Sequence, residues 1–216
     1  MKKLLALLCL MFAVGCTDID YYQMNGLKVS PSLLASYNVV VQRDWHGVCG
    51  SAVIKSDETE TLILTAAHCV DFDWGTYSIV TNDGQEHDAE IIKREYIATD
   101  LALLRTYQPI PVQPATTPAF AEPAATTEAW TVGFGGGEPD AFSYGIVSKV
   151  YVIDHYDKLA NQFDMTIWYG NSGGGVYNAD GRLIGIVSQF GPQGGAMQGW
   201  MYACPVSAIR RFLAED

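Results

Sequence analysis

Hydrophobic positions in this chain follow two patterns. Near the start, Leu4 to Val14 form one unbroken apolar run behind Lys2 and Lys3. Residues 17 to about 34 then carry little periodicity. From residue 37 onward, apolar residues come in short or alternating runs separated by Gly, Asp, Asn and Pro: Tyr37 to Gln42, Thr61 to Thr65, Tyr77 to Thr81, Leu101 to Arg105, Ala129 to Val132, Gly145 to Val152 and Leu183 to Ser188. Short runs of this kind predict strands. Only Val206 to Leu213 has helical spacing, with Ile209, Phe212 and Leu213 on one side and Pro205 at its start. Many strands and few helices make an all-β barrel or sandwich. Five of the nine prolines fall between Pro109 and Pro123 among Thr and Ala, poor material for element interiors and good material for a linker. The organisation read from this pattern is a leader at 1–15, a tether at 16–34, a first half at 35–108, a linker at 109–127, and a second half with the C-terminal helix at 128–216. No internal repeat is visible.

Composition narrows the possible partners. The 216 residues include 24 acidic and 13 basic side chains, a formal net charge of −11. Nucleic acid and anionic membrane surfaces call for the opposite sign, so no nucleic-acid partner is expected. Hydrophobic residues at 49% and charged residues at 17% suit a folded body rather than a disordered chain. The eleven apolar residues of the leader would span about 16 Å as a helix, roughly half of a bilayer core, so they read as an export signal and not as a permanent span. Ala13-Val14-Gly15-Cys16 resembles the bacterial lipobox, although that motif prefers Leu where this chain has Ala13. The resemblance implies lipidation of Cys16, membrane attachment through that anchor and a place in the bacterial cell envelope. Cleavage by an ordinary signal peptidase, giving simple secretion, is the alternative. Either route ends where disulfides can form.

Three islands carry the candidate chemistry: Leu64-Thr65-Ala66-Ala67-His68-Cys69, Thr99-Asp100-Leu101-Ala102-Leu103-Leu104 and Gly170-Asn171-Ser172-Gly173-Gly174. A serine hydroxyl is a weak nucleophile at neutral pH and needs an imidazole to take its proton. The imidazole needs a carboxylate to fix its tautomer and stabilise its charged form. Glycines beside the serine let the backbone approach a substrate, so the amides of Gly170 and Ser172 can meet a developing oxyanion.

In this order the islands resemble the trypsin-like, chymotrypsin-fold serine proteases, and the likeness covers nearly everything after residue 37. Trp130-Thr131-Val132-Gly133-Phe134-Gly135 resembles the family's Gly-aromatic-Gly strand at the start of the second barrel. The resemblance implies two six-stranded antiparallel β-barrels and a C-terminal helix. It also implies peptide-bond hydrolysis through an acyl-enzyme, with no cofactor and a protein or peptide substrate. His68 would be the general base, Asp100 its orienter, Ser172 the nucleophile, and Gly170 and Ser172 the oxyanion donors. Cys49 and Cys69 match the family disulfide that holds the histidine loop, and Cys204 is expected as a buried free thiol. Asn171 replaces the Asp that pairs with a new N-terminus in digestive relatives, and no Ile-Val-Gly-Gly start precedes the first strand, so activation by cleavage is not expected. Gly-Asn-Ser-Gly-Gly, Tyr144 to Ser148 and Leu183 to Val187 are similar to the bacterial HtrA/Deg branch. Only three residues follow Leu213, so the peptide-binding domain usual in that branch is not expected.

The family pattern also implies the pocket for the residue before the scissile bond. Counting back six positions from Ser172 gives Thr166 at its base, with walls from Ser188 to Gly191, Phe190 among them, and from Gly199 to Met201. Thr166 offers no charge to grip Arg or Lys, and Phe190 narrows the pocket, so small or medium apolar side chains are expected; Asp164 is a weaker candidate counter-charge. His46, Cys49, His68 and Cys69 suggest zinc at first sight. Adjacent His68 and Cys69 cannot easily face one ion, and a disulfide would consume the thiols, so no metal is expected. A binding or exclusion module on a protease fold is the alternative, kept open by Trp168-Tyr169 beside the oxyanion loop. The sequence leaves the oligomeric state open.

Overall fold

The fold comes from a computed structural model that describes residues 26–43, 47–70, 77–110, 119–154, 156–190 and 199–215. The leader and Cys16 lie outside these residues.

Seven strands build the first unit: β1 (Val40–Arg43), β2 (Gly47–Cys49), β3 (Ala52–Ser56), β4 (Thr61–Ala66), β5 (Tyr77–Val80), β6 (Glu86–Glu95) and β7 (Leu101–Thr106). They form one antiparallel sheet in the order β2-β1-β5-β6-β7-β4-β3. Its two edge strands follow one another in sequence, and the Val53 amide donates to Tyr37 O (2.8 Å), which curls the sheet toward a barrel. The strand beyond six is β2, the three-residue arm of a hairpin with β1. Six strands build the second unit: β8 (Glu128–Gly133), β9 (Ala141–Ile153), β10 (Leu159–Met165), β11 (Gly175–Tyr177), β12 (Leu183–Phe190) and β13 (Met201–Pro205). They close into a barrel in the order β10-β13-β12-β11-β8-β9. The fold class is the one expected from the sequence.

Continuous apolar runs mark strands buried on both faces. In β7, Leu101 and Leu103 face a core shared by the two units, while Ala102 and Leu104 face the interior of the first. In β4, Leu64 and Ile63 divide in the same way. The shared core also takes Trp130, Tyr177 and Ile186 from the second barrel and Ile209 and Phe212 from a C-terminal helix. That helix, Val206–Ala214, matches the predicted span within a residue.

Residues 26–34, assigned from the sequence to the end of a tether, belong to the folded body instead. Helix α1 (Pro31–Ser36) starts with Pro31 behind the Ser30 cap, whose hydroxyl accepts the Leu33 amide (3.2 Å). Leu27 and Leu34 are buried in the shared core, and the Lys28 amide donates to Ala179 O (2.9 Å). One short helical turn gave too few apolar positions to reveal a period. We label the C-terminal helix α2. The described parts of the linker, 109–110 and 119–127, hold no strand. The second of them lies beside β12 through a parallel bridge between Phe120 and Leu183.

Candidate active site

Asp100 precedes β7 and takes a left-handed backbone conformation, φ +56, which a residue with a side chain adopts only when its surroundings enforce it. Three contacts do so. Asp100 O accepts the Ala67 amide (2.9 Å), Oδ1 accepts the His68 amide (3.0 Å), and Oδ2 lies 2.8 Å from His68 Nδ1. His68 sits in a 3-10 turn, Ala67–Val70, that continues β4, so the pairing of β4 with β7 from Thr61–Thr106 to Ala66–Leu101 delivers both groups to one end of the sheet. Ser188, from β12 of the other barrel, donates its hydroxyl to Asp100 Oδ2 (2.6 Å). Lys158 Nζ lies 3.9 Å from Oδ1. Burial alone would raise the Asp100 carboxyl. The His68 hydrogen bond and charge, the Ser188 hydroxyl and the Lys158 ammonium outweigh it and hold the group below its ordinary value. The carboxylate is 1% exposed and the imidazole 34%.

Ser172 follows a tight turn, Trp168 to Asn171, in which the Asn171 amide donates to Trp168 O (3.1 Å) and Gly170 has φ +98. A positive φ at the third position defines a type II turn, which selects glycine. A Cβ at Gly170 would also fall 2.2 Å from Phe134 O. The Tyr169 carbonyl accepts the Gly136 amide (2.8 Å), and a trans peptide points its C=O and N–H in opposite directions, so the Gly170 N–H faces away from the Gly135–Gly137 turn. Beyond the serine, the Gly173 amide donates to Val187 O (2.7 Å). A Cβ at Gly173 would lie 2.1 Å from Thr65 Oγ1 and 2.4 Å from Gly50 O, so this loop rests on β4 and on the residue after β2. Gly50 in turn donates its amide to Gly170 O (2.8 Å).

A disulfide joins Cys49 to Cys69 across 20 residues, and the Cys69 sulfur lies 3.8 Å from Ser172 O. The His68 ring and these two sulfurs come within 4.8 Å of one another, but each sulfur is bonded to the other and neither is a thiolate ligand. Cys204 is a buried free thiol.

Thr166 follows β10 and is exposed between the buried Met165 and Ile167. Gly199 has φ +84, a conformation that favours glycine, and lies beside the Asp164 carboxylate, whose Oδ1 would be 2.8 Å from a Cβ placed there. Phe190 pairs through its backbone with Met201, while its side chain and Gly191 lie outside what is described. Ser188, expected as a pocket wall, is engaged with Asp100. Sequence reasoning missed this bond and Lys158 altogether. Both reach Asp100 from the second barrel across more than fifty residues, and no local pattern signals such a contact.

Two antiparallel sheets over a common core, with an Asp-His pair and a glycine-flanked serine brought to their seam, define the chymotrypsin-like class. The chain belongs to the trypsin-like peptidase family, whose domain model matches residues 50–186. Its relatives are HtrA-type serine proteases. It is 31% identical over 163 residues to "Probable periplasmic serine endoprotease DegP-like" of Halomonas elongata, covering 73% of this chain and 32% of that one. It is 30% identical over 201 residues to "Serine protease HTRA1A" of Danio rerio, covering 88% of this chain and 40% of that one. The chain thus spans well under half the length of these relatives. An HtrA-type protease solved with a tripeptide superposes with a TM-score of 0.71 at 20% identity, over 86% of this chain and 62% of that chain, and shares the fold.

Proposed function

We propose that the protein is an exported serine endopeptidase using Ser172, His68 and Asp100. The carrying observation is the Asp100 carboxylate, which grips the His68 backbone through one oxygen and its ring through the other. Such a clamp fixes the ring with Nδ1–H toward Asp100 and leaves Nε2 as the acceptor. Ser172 Oγ attacks the scissile carbonyl while His68 Nε2 takes its proton. The Gly170 and Ser172 amides stabilise the oxyanion, and the imidazolium returns the proton to the leaving amine. Water, activated by the same imidazole, then cleaves the acyl-enzyme. No step calls for a cofactor. Thr166 at the pocket base favours uncharged side chains in the substrate.

The proposed location is the bacterial cell envelope, with Cys16 lipidated. The Lys2-Lys3 leader and the DegP-like relatives described as periplasmic support it. Among the described residues no helix is long and apolar enough to cross a membrane.

Fluorophosphonate labelling of the leader-free protein, read by peptide mass spectrometry beside Ser172→Ala, tests the chemistry. Stoichiometric labelling confined to Ser172 is expected. Absence of labelling in oxidised protein with an intact Cys49–Cys69 bridge refutes it. Radiolabelled palmitate incorporation that persists in Cys16→Ser would refute the anchor.

A further inference from the structure

The turn joining β9 to β10, described at residues 154 and 156–158, reaches across the seam to Asp100. Its shape is set by Asp154, whose Oδ1 accepts the amides of Tyr156 (2.8 Å) and Lys158 (2.9 Å). The Asp154 amide donates to Lys158 O (2.9 Å), and Gln189 Nε2 on β12 donates to Asp154 Oδ2 (2.8 Å). The Lys158 backbone is therefore fixed from both sides. Its side chain is only 11% exposed and runs inward, with Nζ 4.7 Å from the centre of the Tyr96 ring and 3.9 Å from Asp100 Oδ1.

Burying an ammonium is costly unless a charge repays it, and Asp100 is the carboxylate it meets. Asp100 already has hydrogen bonds from the His68 amide, the His68 ring and Ser188. At 3.9 Å Lys158 adds no further short hydrogen bond, so its influence is electrostatic. The other groups around Asp100 are mostly acidic or neutral. Glu95, at the end of β6, spends its carboxylate on the amides of Ile97, Ala98 and Thr99 and on the Thr99 hydroxyl. Asp154 and Asp157 share the turn with Lys158. Cys204 on β13 has its thiol pushed up by burial first and then by the charges of Asp100 and Glu95, with Arg211 of α2 and Lys158 opposing. Among the described residues, Lys158 is the ammonium placed against the Asp100 carboxylate, in a chain of net charge −11.

We infer that Lys158 is a positioning residue for the proposed reaction, its ammonium moderating the charge of Asp100 so that His68 serves as a base at lower pH than an unbalanced carboxylate would allow. Without the ammonium, the Asp100 charge is unopposed from the second barrel and attracts the imidazolium formed during the reaction more strongly. The inference rests on the Ser172, His68 and Asp100 reading, and the experiment separates the two.

Fluorophosphonate labelling rates of Ser172 are measured from mildly acidic to mildly alkaline pH in wild type, Lys158→Met and Lys158→Arg. The expected result is an acid limb moved up by about one pH unit in Lys158→Met, with the wild-type limb kept in Lys158→Arg. A merely structural role would lower the rate at every pH without moving the limb. Tyr96→Leu, at a half-exposed ring, loosens the ammonium without removing its charge and gives a smaller shift of the same sign. It carries the test if Lys158→Met does not fold. A labelled wild type whose acid limb is unmoved in these variants overturns the inference alone. A wild type unlabelled at every pH overturns the triad reading and this role with it.

Discussion

The carboxylate of Asp100 and the hydroxyl of Thr166 are both candidate site groups, yet they sit in opposite surroundings. Asp100 is buried and receives groups from a 3-10 turn, from β12 and from the β9–β10 turn. Thr166 stands exposed just after β10, with Asp164, also exposed, two residues before it. Proton handling needs a fixed tautomer and a low-dielectric setting, which only convergence of distant segments supplies. Reading a substrate needs open surface near a strand end, which one loop can supply and change without disturbing the proposed triad. On the proposed reading, the difference teaches that chemistry and specificity would be separable, which substitutions can test.

The largest effect is expected at the oxyanion turn. Gly170→Ala puts a Cβ against Phe134 O at a positive φ. It should slow Ser172 labelling by about 10²- to 10³-fold while circular dichroism stays native. Next, Cys49→Ser with Cys69→Ser opens the 20-residue loop that holds His68, and unfolding in urea should report a loss of roughly 3 kcal/mol. Ser188→Ala removes a charge-assisted hydrogen bond to Asp100 and should lower kcat/KM about tenfold.

The same variant tests the pH dependence of stability. The folded Asp100 is held below its ordinary value of 3.8, so its contribution is present above that value and is lost as pH falls through the folded value. Ser188→Ala brings the folded value closer to the unfolded one. The acid-dependent fall in melting temperature should then be smaller and finish at higher pH. Smallest of all, Thr166→Ala should leave the Ser172 labelling rate within about twofold, and change only the ranking of peptide substrates in a library profile. Loss of labelling in that variant would erase the separation drawn above.

Much of this was legible in advance where residues lie close in sequence or repeat a pattern. The runs at Thr61 to Thr65 and Leu101 to Arg105 became β4 and β7, because strands buried on both faces must be apolar throughout. Strand β6, Glu86–Glu95, escaped notice because it fully buries Ala89 alone, and its other residues, mostly charged, are exposed or half-buried, with only Ile91 and Ile92 apolar among them. Tyr37 and Asn38 read as strand, but Tyr37 caps the C-terminus of α1 and Asn38 follows it, their amides turned back onto Leu34 O and Ala35 O, so the strand begins only at Val40. In the site, His68 and Asp100 meet as their islands suggested, and Cys49 bonds to Cys69. Ser188 and Lys158 could not be placed because their meaning arises only when the second barrel closes on the first.

Strand β7 has a consequence for when the molecule can act. Its residues alternate between the interior of one barrel and the core common to both, and Asp100 stands at its head. A nascent chain holding only its first half lacks Ser172, Ser188 and Lys158 together, and Leu101 and Leu103 then miss the part of their core that Trp130, Tyr177 and Ile186 supply. On the proposed reading, the reacting groups come together only once the second half has folded against the first, so the capacity to cut would arise with completion of the fold.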